Sequence, residues 1–222
     1  MKFSRKLIAL ALAVIMVVSM FSLVACANSS YTAENTKIKI GLTGPLTGPA
    51  AIYGTAVKNA AQMAVDEINK AGGLNGIEFE LVMHDDKHDP ANVQNLYADL
   101  LEGGMQISLG TVTTKPGLEF KALSKEDNVF FLTPSASGDK IPENANGYQM
   151  CFADGNQGKV AADFISQNFA GQTIGVFFKS DDEYSVGIKN KFLESLDSSF
   201  TVKQASFMGE DSNFASQVQE LK

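Results

Sequence analysis

Two periods of apolar residues alternate along the chain. Short apolar runs with strand-like composition come first, then stretches in which apolar residues recur every three or four positions. Ile38–Leu42 predicts a strand, followed by the Gly/Pro/Thr loop GPLTGP. Val57, Ala60, Ala61, Ala64, Val65 and Ile68 then form one helical stripe, which Gly72-Gly73 ends because glycine accepts a left-handed C-terminus cheaply. Phe79–Met83 predicts a second strand. Asp89-Pro90 opens the next helix with a carboxylate cap and proline at the first helical position, and Val93, Leu96, Tyr97, Leu100 and Leu101 form its inner face. Ile107–Leu109 and Val129–Leu132 predict strands three and four, with a helix to about Asp127 between them.

Residues 139–147, rich in Pro, Asn and Gly, read as a connector. Gln149–Phe152 is extended. A helix follows with Val160, Ala161, Phe164 and Ile165 inward, then the strand Thr173–Phe178. Ser180–Tyr184 caps a helix carrying Ile188, Phe192 and Leu196; strand Val202–Phe207 and a helix from Asn213 close the chain. Strands alternating with helices imply an α/β fold with a mainly parallel sheet covered on both faces. Two strands after Gln157 are too few for a finished sheet, so the chain reads as an N-terminal fragment whose second unit is truncated.

Lys2, Arg5 and Lys6 precede the apolar run Leu7–Val18, the pattern of an export signal; the apolar character continues weakly to Val24, so an uncleaved membrane anchor is the competing reading. Leu23-Val24-Ala25-Cys26 resembles a bacterial lipobox, with Cys26 the lipidated residue and residues 27–36 a polar tether. The expected divisions are 1–26 leader, 27–36 tether, 37–147 first lobe and 148–222 crossover and partial second lobe. Without the three basic residues of the leader, the remainder holds 15 bases and 25 acids, net −10. That balance argues against a nucleic-acid partner. With Cys26 lipidated, Cys151 has no intrachain partner and reads as a small buried apolar residue.

Catalytic motifs are missing. The loop Gly41–Gly54 has neither a phosphate-gripping lysine nor G-x-G-x-x-G spacing, and there is no G-x-S-x-G elbow. His84, Asp85, Asp86, His88 and Asp89 have metal-ligand composition but sit on a strand end and a turn, where side chains diverge. They read as a solvated loop rather than a metal site. No enzyme activity and no cofactor are expected. The residues that suggest chemistry are hydroxyls at strand ends: Thr113 and Thr114 before a helix, and Ser135-Ala136-Ser137 at the next strand end. Helix N-termini favour anions, so these groups suit a small carboxylate, although the same residues commonly just cap helices and turns.

Taken in order, IGLTGPLTGPAAIYG, AVDEINKAGGLNG, DDKHDPAN, GTVTTKPG, LTPSAS and CFADGNQG resemble the branched-chain-amino-acid type of solute-binding protein of ABC importers, the leucine-binding-like periplasmic binding proteins of type I. The resemblance covers Lys37–Lys222. It implies two Rossmann-like lobes closing on an amino acid, with an ABC permease as partner and a lipid anchor in the membrane. It also implies that Tyr53 lines the side-chain pocket and that Thr113 and Thr114 bind the ligand carboxylate. Ser135, Ala136 and Ser137 would hold carboxylate and ammonium, and Tyr184 would cover the ligand from the second lobe. The family's acid for the ammonium is expected from a later part of that lobe. Some relatives have a disulfide in the first lobe, near the positions of His88 and Val112. A sensory module of the same fold, feeding a membrane kinase or receptor, is the alternative.

Overall fold

The computed structural model describes residues 37–209 and 211–222. The leader, the tether and Cys26 lie outside the described residues. From Lys37 onward the chain forms one compact unit holding two parallel sheets.

The first sheet has five strands in the order β2-β1-β3-β4-β5, all parallel. These are β1 (Ile38–Gly44), β2 (Phe79–Asp85), β3 (Ile107–Ser108), β4 (Phe131–Thr133) and β5 (Gly147–Gln149). Helices α1 (Ala51–Lys70), α2 (Pro90–Glu102) and α3 (Thr114–Glu126) connect them. The expected connector joins the sheet: a short 3-10 turn at Ile141–Glu143 delivers Gly147–Gln149 as the fifth strand. The second sheet pairs β6 (Thr173–Lys179) with β7 (Thr201–Phe207) in parallel. It is served by α4 (Asp154–Asn168), α5 (Glu183–Ser195) and α6 (Ala215–Leu221).

Helix α2 keeps the predicted geometry. The Asp89 side chain accepts from the Ala91 N–H, Pro90 takes the first helical position, and Val93, Tyr97 and Leu100 are buried. They meet Met105, Phe120, Phe131, Ala136 and Ile141 in one core. Within it, Tyr97 packs edge-on against Phe120 at 5.1 Å and Phe120 against Phe131 at 5.6 Å. Such edge-to-face pairs add to the stabilisation from apolar burial.

Two helices differ from expectation. In α1 the buried line runs through Gly54 and Val65, with Val57 and Ala61 half-buried, while Ala60, Ala64 and Ile68 are exposed. In α4 the buried face is Asp154, Gly155, Gly158 and Ala162; Val160, Ala161 and Phe164 are exposed and Ile165 is half-buried. The reason is backbone approach. A Cβ on Gly158 would collide with the Ile188 carbonyl and lie 2.7 Å from the Phe192 N. Small residues therefore let α4 lie directly on α5, and the bulky residues that suggested the inner face point away.

Candidate functional site

The carboxyl ends of β3 and β4 carry the predicted hydroxyl residues. Thr133, at the tip of β4, donates its hydroxyl to the Thr111 carbonyl at 2.6 Å and accepts the Ala136 N–H at 3.1 Å. This cross-link sets the loop Ser135–Ser137 beside the N-terminus of α3. There the Ser137 N–H donates to Thr114 Oγ1 at 3.3 Å. Thr114, Ala136 and Ser137 are buried, whereas Thr113 and Ser135 are half-buried. Thr113 is the N-cap of α3, yet its side chain makes no capping bond. Its Oγ1 lies 3.0 Å from His88 Nδ1 instead. The N–H groups of Thr114 and Lys115, in the first turn, have no intrahelical carbonyl to bond, and Pro116 has no N–H at all.

The two predicted tyrosines sit apart in structural role. Tyr53 lies in the first turn of α1, exposed. Tyr184 opens α5 and its hydroxyl donates to Gln157 Oε1 at 3.4 Å, which ties it to α4 rather than to the hydroxyl loops.

From the sequence alone Asp154 is part of a helix lead-in. It is buried, 1% exposed. Its N–H donates to the Ser137 carbonyl at 2.8 Å, and neither carboxylate oxygen has a hydrogen-bond partner among the described residues. Burial pushes the carboxyl up to about 6; the Ser137 hydroxyl nearby opposes this, and the charges of Asp139 and Asp182 add to it. A buried carboxylate without partners is costly. It borders a hollow of about 620 Å³ that Thr114, Gly138, Asp139, Glu183 and Lys191 also line. Thr114 is the one predicted site residue on that wall. The available signal was the aspartate immediately before the small-residue face of α4.

The acidic turn after β2 is only in part the solvated loop expected: Lys87 and Asp89 are exposed, but the rest is not. Asp86 is fully buried, and burial raises its carboxyl to about 6. Asp85 accepts from the Leu46 and Lys87 N–H groups and from the Thr47 hydroxyl; Asp86 accepts from the His88 N–H. These carboxylates hold the backbone. Among the described residues no group of three or more His, Cys, Asp or Glu is placed to hold a metal ion.

Cys151 is half-buried rather than buried. Its thiol faces the Ser135 and Ala136 carbonyls at 3.4 and 3.5 Å, and burial raises its pKa. That keeps it protonated and makes it a poor nucleophile.

The chain belongs to the periplasmic binding protein family: the model of that family matches residues 37–222. The fold is that of the type I periplasmic binding proteins. A leucine-, isoleucine-, valine-, threonine- and alanine-binding protein of Pseudomonas aeruginosa is 32% identical over 201 residues, covering 87% of this chain and 53% of the relative. A Leu/Ile/Val-binding protein of Rhizobium johnstonii is 33% identical over 161 residues, covering 72% of this chain and 44% of the relative. Among solved structures, the branched-chain amino acid transporter substrate-binding protein LivJ of Streptococcus pneumoniae, in complex with isoleucine, matches with a TM-score of 0.75 and 28% identity. That match covers 84% of this chain and 54% of the solved one. The leucine-binding protein LivK of Thermotoga maritima gives 0.74 and 25%, covering 82% and 52%. The chain spans about half the length of the curated relatives it matches.

Proposed function

We propose that this chain is part of an extracytoplasmic solute-binding protein that captures a small amino acid, branched-chain or similar, for an ABC importer. It acts as a binding protein and not as an enzyme. One observation carries the reading. The buried carboxylate of Asp154, without a hydrogen-bond partner among the described residues, sits against Ser137, whose N–H rests on Thr114 at the start of α3. A carboxylate beside helix-end N–H and hydroxyl donors suits a zwitterion, with the ammonium toward Asp154 and the carboxylate toward Thr113, Thr114 and Ser135–Ser137. Tyr53 and Tyr184 then border the side chain from the two sheets. The Pseudomonas and Rhizobium relatives, both named for leucine, isoleucine and valine and the first also for threonine and alanine, support the ligand class. Ligand contacts that exist only when both sheets approach would drive closure.

Isothermal calorimetry of the full-length protein against leucine, isoleucine, valine, threonine and alanine tests the proposal. Micromolar or tighter binding of at least one supports it, and no binding by a folded protein overturns the ligand class. Anchoring through a lipid on Cys26 belongs to the same proposal. Replacing Cys26 with alanine should release the protein from the membrane fraction.

A further inference from the structure

His88 stands where two chain segments from different sheets meet the hydroxyl of Thr113. It follows β2 on the first sheet. Asp182, the N-cap of α5, follows β6 on the second. The imidazole lies between them, Nδ1 at 3.0 Å from Thr113 Oγ1 and Nε2 at 3.9 Å from Asp182 Oδ1. Its placement is not a by-product of an ordinary turn. Lys87 and His88 both adopt left-handed backbone, φ +56° and +63°, a conformation non-glycine residues rarely take in succession. The Lys87 and His88 N–H groups are held by the side chains of Asp85 and Asp86 at 3.0 and 2.9 Å. Backbone held in a disfavoured region by surrounding groups is characteristic of functional positions.

Resting on the amino-acid-binding reading above, we infer that His88 is a positioning residue: through Nδ1 it decides whether the Thr113 hydroxyl gives its proton to the ligand carboxylate or keeps it turned away. Nε2 faces a carboxylate, so in the neutral imidazole the proton belongs on Nε2. Nδ1 is then an acceptor and takes the Thr113 O–H. The threonine turns only lone pairs toward the ligand, and these repel a carboxylate. When the imidazole takes up one proton from solvent, both ring nitrogens donate. Nδ1–H then bonds to Thr113 Oγ1, and the threonine O–H is free to donate to the carboxylate. Asp182 Oδ1, 3.9 Å from Nε2, links the ring to α5.

Asp182 faces the ring from the second sheet. Asp86 and Asp89 come from its own turn, with Lys87 beside it. Lys115 on α3 acts one step away, on Asp181. Thr113 is available because it does not cap its own helix. Histidine is the side chain that ordinarily changes charge between about pH 5 and 8, so ligand affinity follows that change. By linkage, ligand binding draws a proton onto the protein.

Two measurements on the full-length protein test this. Calorimetry with L-isoleucine at pH 5.5 and pH 8 should show affinity about tenfold weaker at the higher pH, the scale of one charge-assisted hydrogen bond. Repeated in buffers of different ionisation enthalpy, it should show proton uptake. His88→Gln should abolish both dependences. A wild type with flat affinity, or a His88→Gln variant that keeps the wild-type profile, overturns the inference. The second measurement needs no ligand: nitrogen-15 NMR of the His88 ring, its signal identified by its loss in His88→Gln. Asp182→Asn, which preserves a good helix cap, and Thr113→Val should each shift the tautomer ratio. If neither substitution moves the His88 signal, the hydrogen-bond assignment is wrong. If no amino acid binds at any pH, the proposed function falls, and NMR alone decides the role of His88 toward Thr113.

Discussion

The Asp154 N–H donates to the Ser137 carbonyl at 2.8 Å, so the first residue of α4 is fixed to the loop after β4. This one bond places a buried carboxylate beside the hydroxyl loop of the other sheet. Asp154→Asn keeps the shape and removes the charge. Leucine affinity should fall at least tenfold, about 1.4 kcal/mol, while the ligand-free protein becomes more stable at pH 7. Calorimetry and urea unfolding on the same variant check both halves. Unchanged affinity would remove Asp154 from the site.

Stability should decline as pH rises from about 4 to 7. Asp86 and Asp154 are raised to about 6 from an ordinary 3.8 by burial. The folded state thus holds their protons more tightly than the unfolded chain. Their contribution is fully present below 3.8 and is lost as pH passes through about 6, on the order of 3 kcal/mol for each group. Asp85, lowered by its hydrogen bonds, acts in the opposite sense and only below that window. Melting temperature measured from pH 4 to 7 should fall in the wild type and flatten in the Asp86→Asn, Asp154→Asn double variant.

Thr114 tests the hydroxyl loop without ligand. Its Oγ1 accepts the Ser137 N–H at 3.3 Å, and both residues are buried. Thr114→Val leaves that N–H without a partner and should cost about 1–3 kcal/mol. Thr114→Ser retains the oxygen and should cost much less. Denaturant unfolding of the pair separates the lost hydrogen bond from any change in packing.

Gly158→Ala should push α4 away from α5. The added methyl meets the Ile188 carbonyl and the Phe192 N, and backbone cannot yield as a flexible side chain does. Overpacking of this kind costs about 1–3 kcal/mol. Ala161→Gly, on the exposed side of the same helix, should cost only about 1 kcal/mol, through helix propensity. Equal effects at the two positions would contradict the close approach seen here.

The chain order of strands and helices, the cap at Asp89, a helix cap within Ser180–Tyr184, and the hydroxyl loops at strand ends were legible in the sequence. Each rests on local chemistry: strand composition and helical spacing, a carboxylate before a helix, proline at its first turn. Glycines 72 and 73 likewise announced their own left-handed turn, φ +103° and +68°. The inner face of α4 was not legible. A bulky stripe and a small-residue stripe ran along the same helix, and only the approach of α5 decides which is buried. Nor could sequence show that Asp86 and Asp154 lose their water, or that Thr113 leaves its own helix uncapped to meet His88. Burial and side-chain partnership depend on residues dozens of positions apart, and those distances exist only once the two sheets have packed.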